Sequence, residues 1–308
     1  MELGINEEQQ VYLDGKLINF IDLINQNNIM SALSSLNVED IDPNIISPKF
    51  DKTPLMLACK KGQMSLVNSL ASLQGCNFYM TNSKGRNCLT YTIKYAHLEL
   101  IKLLTQNYRI DDTIKIINYH NDEHYNINML LISVLTNNDE IVSYFLKDGF
   151  GNINPNETDS CQNTPLLLAI EKGFYKVVDT LLKDHRTDPN QGNELFDFQD
   201  TPLIYACYLG LYEIVSLLLS HTRTDLNLSS KHGLSPLMIC IEFNNLELIS
   251  LLLSHPNIDI NYKCPFEKSA LFYACSINNK EAIKTLIQHQ DIEIEDNILV
   301  QDAIREAI

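Results

Sequence analysis

One short signal returns along this chain and leaves few folds open to it. Thr53-Pro54-Leu55, Thr164-Pro165-Leu166, Thr201-Pro202-Leu203 and Ser235-Pro236-Leu237 are close copies, and Asn87-Cys88-Leu89, Asn128-Met129-Leu130 and Ser269-Ala270-Leu271 are weaker ones. Successive copies are separated by 34, 41, 36, 37, 34 and 34 residues. A near-constant period of this size means a stack of similar units, each too small to bury its own apolar face without its neighbours. The signal is a helix start. Ser, Thr or Asn offers a side-chain oxygen to the unpaired N–H groups of the first turn, and Pro in the next position gives up an N–H that has no intrahelical partner.

Other features keep register with it. Five residues after each cap stands a small side chain (Ala58, Thr92, Ser133, Ala169, Ala206, Cys240, Ala274), which lets a neighbouring helix approach closely. Nine residues after the cap come Gly62, Ala96, Asn137, Gly173, Gly210, Asn244 and Asn278. Gly and Asn tolerate the left-handed conformation that ends a helix; Ala does not, so a strained or differently shaped turn is expected at Ala96. A second helix follows, with apolar pairs such as Val177-Val178 and Leu181-Leu182, or Leu248-Ile249 and Leu252-Leu253, on one face. A polar turn closes the unit: Asp42-Pro43-Asn44, Asp188-Pro189-Asn190, Asp225-Leu226-Asn227, Asp259-Ile260-Asn261.

This pattern resembles the ankyrin repeat, with its T-P-L-H-x-A, G-H, I-V-x-x-L-L and D-x-N elements, over about residues 16–298. The resemblance implies an all-α chain, an ankyrin-type α-solenoid of about eight helix-turn-helix repeats with short extended finger turns. Repeats are expected near 16–48, 49–82, 83–123, 124–159, 160–196, 197–230, 231–264 and 265–298, after an N-terminal tail at 1–15 and before a C-terminal capping helix at 299–308. The long third step places an insertion within 105–126, and a smaller one falls near 191–200. The His that follows T-P-L in the family is missing, replaced by Met56, Thr90, Leu131, Leu167, Ile204, Met238 and Phe272. In the family that His ties adjacent repeats by hydrogen bonds, so mostly apolar contact is expected to serve here.

Composition narrows function. Hydrophobic residues make up 45% and charged residues 20%, as in a globular chain. A formal net charge of -16 argues against nucleic acid as partner, because phosphate-backbone binders carry a basic footprint. The acidic N-terminal stretch does not read as a signal peptide, and no apolar run is long enough for a membrane span. The eight cysteines are dispersed with no C-x-x-C, and read as reduced packing residues of a cytoplasmic protein, with the nucleus left open. No phosphate loop, G-x-S-x-G, H-E-x-x-H or kinase signature occurs, so neither an enzyme nor a cofactor is expected. His185, His221, His255 and His289 recur near the ends of second helices. They are too far apart to share one metal, since stacked helices lie roughly 8–10 Å apart and zinc holds each ligand nitrogen at about 2 Å.

The expected role is a scaffold or adaptor that holds another protein, as a monomer, on the concave surface of fingers and first helices. The candidate contacts are Phe50, Lys60, Lys61, Lys84, Arg86, Lys94, Tyr95, Tyr125, Phe198, Tyr208, Phe243 and Phe266. They form a basic early end and an aromatic later half, suited to a partner segment that is acidic and then apolar. Aromatics are the usual anchors of interfaces. The alternative is an assembly protein that self-associates through its end repeats.

Overall fold

The computed structural model describes residues 7–38, 41–108, 116–120, 123–147, 153–193, 195, 201–295 and 297–308. It divides into two compact units, 1–153 and 154–308, each treated by itself below.

In the first unit the helix pairs are α1 (Glu7–Asn25) with α2 (Ile29–Val38), α3 (Pro54–Lys61) with α4 (Met64–Ala71), α5 (Cys88–Lys94) with α6 (Leu98–Lys102), and α7 (Met129–Leu135) with α8 (Asp139–Leu146). In the second they are α9 (Pro165–Glu171) with α10 (Tyr175–Lys183), α11 (Pro202–Tyr208) with α12 (Tyr212–Ser220), α13 (Pro236–Glu242) with α14 (Leu246–Leu253), and α15 (Ala270–Ser276) with α16 (Lys280–Ile287), closed by α17 (Ile298–Ala307). First helices pack on first helices: α1 on α3, α3 on α5 and α5 on α7, then α9 on α11, α11 on α13, α13 on α15 and α15 on α17. The stretch expected as a tail is helical from Glu7 onward.

The local chemistry read from the sequence is what the backbone uses. Thr53, Asn87, Asn128, Thr164, Thr201, Ser235 and Ser269 each accept a hydrogen bond from the third N–H of their helix. Losing one such cap costs about 1 kcal/mol. The seven small residues at the fifth position are fully buried. All seven residues at the ninth position are left-handed, with φ between 51° and 73°. Ala96 is among them at φ 57°, so its turn has the common shape and carries the strain of a Cβ in that region.

The ties between repeats correct one expectation. The residues that replace the family's His do pack apolar, Met56, Leu131, Leu167, Ile204 and Met238 being at most 1% exposed. Hydrogen bonds tie the repeats as well, and the last residue of the D-x-N turn makes them. Asn190 Nδ2 donates to Arg223 O at 3.0 Å, and its Oδ1 accepts from Asp225 N at 2.8 Å. Asn156, Asn227 and Asn261 do the same to Arg186 and Asp188, to Asn257 and Asp259, and to Asp291 and Glu293. Each side chain fills a backbone donor and a backbone acceptor of the next repeat, which makes a ladder through the second unit. Among the described residues, the first unit has one such rung, from Asn44 to Gly75 O and Asn77 N. At the next position stands Tyr79, which can form no such amide bridge. Gln63 and His97 supply other ties there, to Ile24 O at 3.0 Å and to Lys60 O at 3.2 Å.

The region of the long insertion follows. α6 ends in a π-helical turn, Leu103–Asn107, where Thr105 Oγ1 bonds Ile101 O and Tyr144 Oη at 2.8 and 2.6 Å. Strands β1 (Ile116–His120) and β2 (Glu123–Ile127) then pair antiparallel with Ile116 opposite Ile127. This hairpin is the local exception to an otherwise helical chain among the described residues. In the smaller insertion, Asn193 is buried and donates to Cys161 O at 2.7 Å and Asn163 Oδ1 at 2.8 Å.

Candidate partner-binding surface

In the first unit, cations gather around two tyrosines. Tyr91 and Tyr95 lie one turn apart on α5 and at its end, with ring centroids 6.5 Å apart and planes inclined by 22°. Lys52 Nζ lies 5.5 Å from the centre of the Tyr91 ring, and Lys60 Nζ lies 5.6 Å from that of Tyr95. The Tyr91 hydroxyl takes hydrogen bonds from Asn82 Nδ2 at 3.1 Å and from Arg86. Lys84 and Lys94 are exposed beside them. Burial and then the Lys60, Arg86 and Lys84 charges hold the Lys52 ammonium below its usual pKa. Burial, then Arg86, Lys84 and Lys60, do the same to Lys94. The nearby carboxylate is Asp51. Burial raises its pKa, but bonds from Ser83 and the charges of Lys52 and Lys84 outweigh that and hold it low. Its oxygens accept from Ser83 N at 3.1 Å, Ser83 Oγ at 2.5 Å and Asn82 Nδ2 at 3.1 Å, which spends it on joining one finger turn to the next.

Sequence reasoning found Lys60, Lys84, Arg86, Lys94 and Tyr95 here and missed Lys52 and Tyr91. Lys52 was hidden because it immediately precedes a cap residue, and Tyr91 because it reads as a core position of α5. Lys61 is exposed on the last turn of α3, and Phe50 is half-buried with Lys49 Nζ 5.0 Å from its ring and Lys52 Nζ donating to its carbonyl at 2.6 Å.

In the second unit, aromatic rings form a ledge at the ends of first helices. Tyr205 and Tyr208 stack with centroids 6.4 Å apart, and Tyr208 meets Phe243 of the next repeat edge-on at 5.0 Å and 84°. Tyr208 is 36% exposed and Phe243 46%, so the two rings support each other and still present faces to solvent. Leu209 and Ile277 are exposed at corresponding helix ends. Beside Phe243, the Tyr273 hydroxyl is pushed up to about 12 by burial and by a hydrogen bond with Glu242. Phe266 stands exposed on its finger turn at 74%, apart from these ring contacts. Tyr125 falls on β2, across from Asn118, and Phe198 lies outside the described residues.

The histidines turn to separate partners: His221 Nε2 meets Leu182 O at 3.1 Å, and the Nδ1 atoms of His255 and His289 accept from Asn257 N and Asp291 N at 3.3 Å. All eight cysteines are free thiols. Burial raises the Cys59 thiol far above its usual pKa, and a hydrogen bond with Cys240 does so at Cys207, which leaves both inert at neutral pH. Among the described residues, no helix is long and apolar enough to cross a membrane.

The family model for ankyrin repeats matches the chain three times, over residues 21–116, 111–193 and 185–264. The chain therefore belongs to the ankyrin repeat family, whose repeats are generic protein-protein interaction modules. No curated protein matches it in sequence.

Proposed function

We propose that this protein is a non-catalytic cytoplasmic scaffold that holds one partner protein against the ends of its first helices and its finger turns. The observation that carries this reading is the Tyr208–Phe243 contact: two large rings from adjacent repeats, packed on each other yet 36% and 46% exposed. Rings packed on each other across two repeats yet open to solvent are placed to act as anchors, and a few such anchors carry most of an interface's binding energy. The cations around Tyr91 and Tyr95 add an acidic requirement, so the partner offers an acidic and an apolar stretch. The test is affinity capture from the source cell with wild type and with Tyr208→Ala/Phe243→Ala, both confirmed folded by circular dichroism. One protein bound by wild type and lost by the variant supports the reading. Its retention by the variant moves binding elsewhere, for instance to the open cleft of about 770 Å³ between α12 and α14 lined by Tyr212 and Leu246.

A second reading, self-association through an end repeat, has its own observation. Helix α17 and the residue after it leave Ile298, Leu299 and Ile308 exposed at 78%, 44% and 85%. A sedimentation profile that shifts with concentration, and no longer shifts in Ile298→Ser/Leu299→Ser, would favour it.

A further inference from the structure

Carboxylates outnumber Lys and Arg in this chain by 39 to 23, and several cations sit in ion pairs with them. Lys49 pairs with Asp22 at 2.9 Å, Lys102 with Glu99 at 2.7 Å, Arg186 with Asp184 at 2.7 Å and Lys284 with Glu281 at 3.4 Å. Around Tyr91 and Tyr95 several lysines lie close enough to feel one another's charge. Among the described residues, none of Lys52, Lys60, Lys84 and Lys94 makes an ion pair. The neighbouring carboxylate, Asp51, is held by Ser83 and Asn82. One carboxylate, felt by Lys52 and Lys84, thus faces several lysines close to one another, which leaves room for a counter-charge from outside.

We propose that Lys52, Lys60, Lys84, Arg86 and Lys94, gathered around the Tyr91–Tyr95 pair, read a phosphorylated side chain on the partner segment. This deepens the scaffold reading and rests on it. A single carboxylate brings one negative charge and two oxygens. A phosphoryl group brings about -1.5 to -2 charges and three acceptor oxygens, which suits several mobile ammonium donors beside one planar guanidinium. Two donors are already placed: Lys52 is steered by the Phe50 carbonyl and the Tyr91 ring, and Arg86 by the Tyr91 hydroxyl. The exposed Tyr95 ring, 43% accessible, offers an apolar wall for the methylene or aryl group that carries the phosphate.

Fluorescence anisotropy on the full chain tests this with three labelled probes: a short acidic peptide carrying one phosphoserine, its unphosphorylated twin, and a twin with glutamate in that place. The phosphopeptide is expected to bind at least about tenfold more tightly than either twin, in keeping with charge-assisted bonds of roughly twice ordinary strength. Lys52→Gln/Lys94→Gln, and Lys94→Gln alone to a smaller degree, should bring it toward the level of the twins. Lys176→Gln, which removes an exposed cation from α10, should leave it unchanged. Equal binding of all three peptides overturns the proposal. So does binding of phosphatidylserine vesicles that needs Lys52 and Lys94 while the peptides are not distinguished, which would assign the cluster to a lipid surface. The two readings fail separately: undistinguished peptides with a captured partner still lost in Tyr208→Ala/Phe243→Ala leave the scaffold standing, and the converse result leaves the phosphate site standing.

Discussion

The two units use the same helix pair and hold it together differently. In 154–308 the asparagine ladder runs through every D-x-N turn, from Asn156 to Asn261, and the aromatic ledge sits on regularly spaced helix ends. In 1–153 the ladder stops after Asn44, Tyr79 takes the next rung, Ala96 occupies a left-handed turn, and α6 ends in a π turn before the hairpin. The more regular unit exposes the paired rings of Tyr208 and Phe243. The less regular one gathers cations. A stack of this kind draws its stability from the interface between neighbours as much as from each repeat, so lost rungs leave local give. The difference therefore predicts where the molecule is firm and where it can adjust to what it holds.

Five substitutions sharpen or break this comparison, from the largest effect to the smallest. Ala206→Leu forces a large side chain into a fully buried helix contact of the regular unit and should cost about 3 kcal/mol, read as a fall in denaturation midpoint. A cost below 1 kcal/mol by this reckoning would mean that the small residues are not what sets helix spacing. Gly62→Ala and Gly173→Ala form a matched pair. Both sit at positive φ, 73° and 66°, but a Cβ at Gly62 would lie 2.7 Å from the His97 ring, whereas at Gly173 nothing lies within 4 Å. The first should cost about 2 kcal/mol and disturb the His97–Lys60 tie, and the second about 1 kcal/mol from backbone strain alone. Equal losses would remove His97 as a tie.

Asn227→Ala deletes a rung and should cost about 1 kcal/mol, because its partners are exposed and water replaces part of what is lost. Hydrogen exchange is then expected to speed up at Asp259 N and its neighbours. Unchanged exchange would leave the ladder without a stabilising role. Ala96→Gly should go the other way and raise stability by up to about 1 kcal/mol, since Gly accepts the left-handed turn without a Cβ penalty and gives some of that back through unfolded-chain entropy. A loss at this site would show that Ala96 is held by packing that outweighs its strain.

What was legible in the sequence is what acts over short distances along the chain. The cap residues, the left-handed stops, the small fifth position and the apolar face of each second helix depend on neighbours a few residues away. Residue type and spacing suffice to find them, down to Asn137, Asn244 and Asn278 replacing Gly at a helix end. The D-x-N turns were visible as turns, but not as ladder rungs, because each rung joins groups 30 to 35 residues apart. The candidate surface shows the same division. Sequence register placed Tyr208 and Phe243 at different positions of their repeats, one residue out of step; only packing of α11 against α13 brings the rings to 5.0 Å. Likewise Lys52 and Tyr91 carry no surface signature of their own. They join Lys60, Lys84, Arg86 and Lys94 because stacked repeats bring helix ends and finger turns from distant points of the chain within reach of one another's charge, and that reach is a property of the tertiary fold.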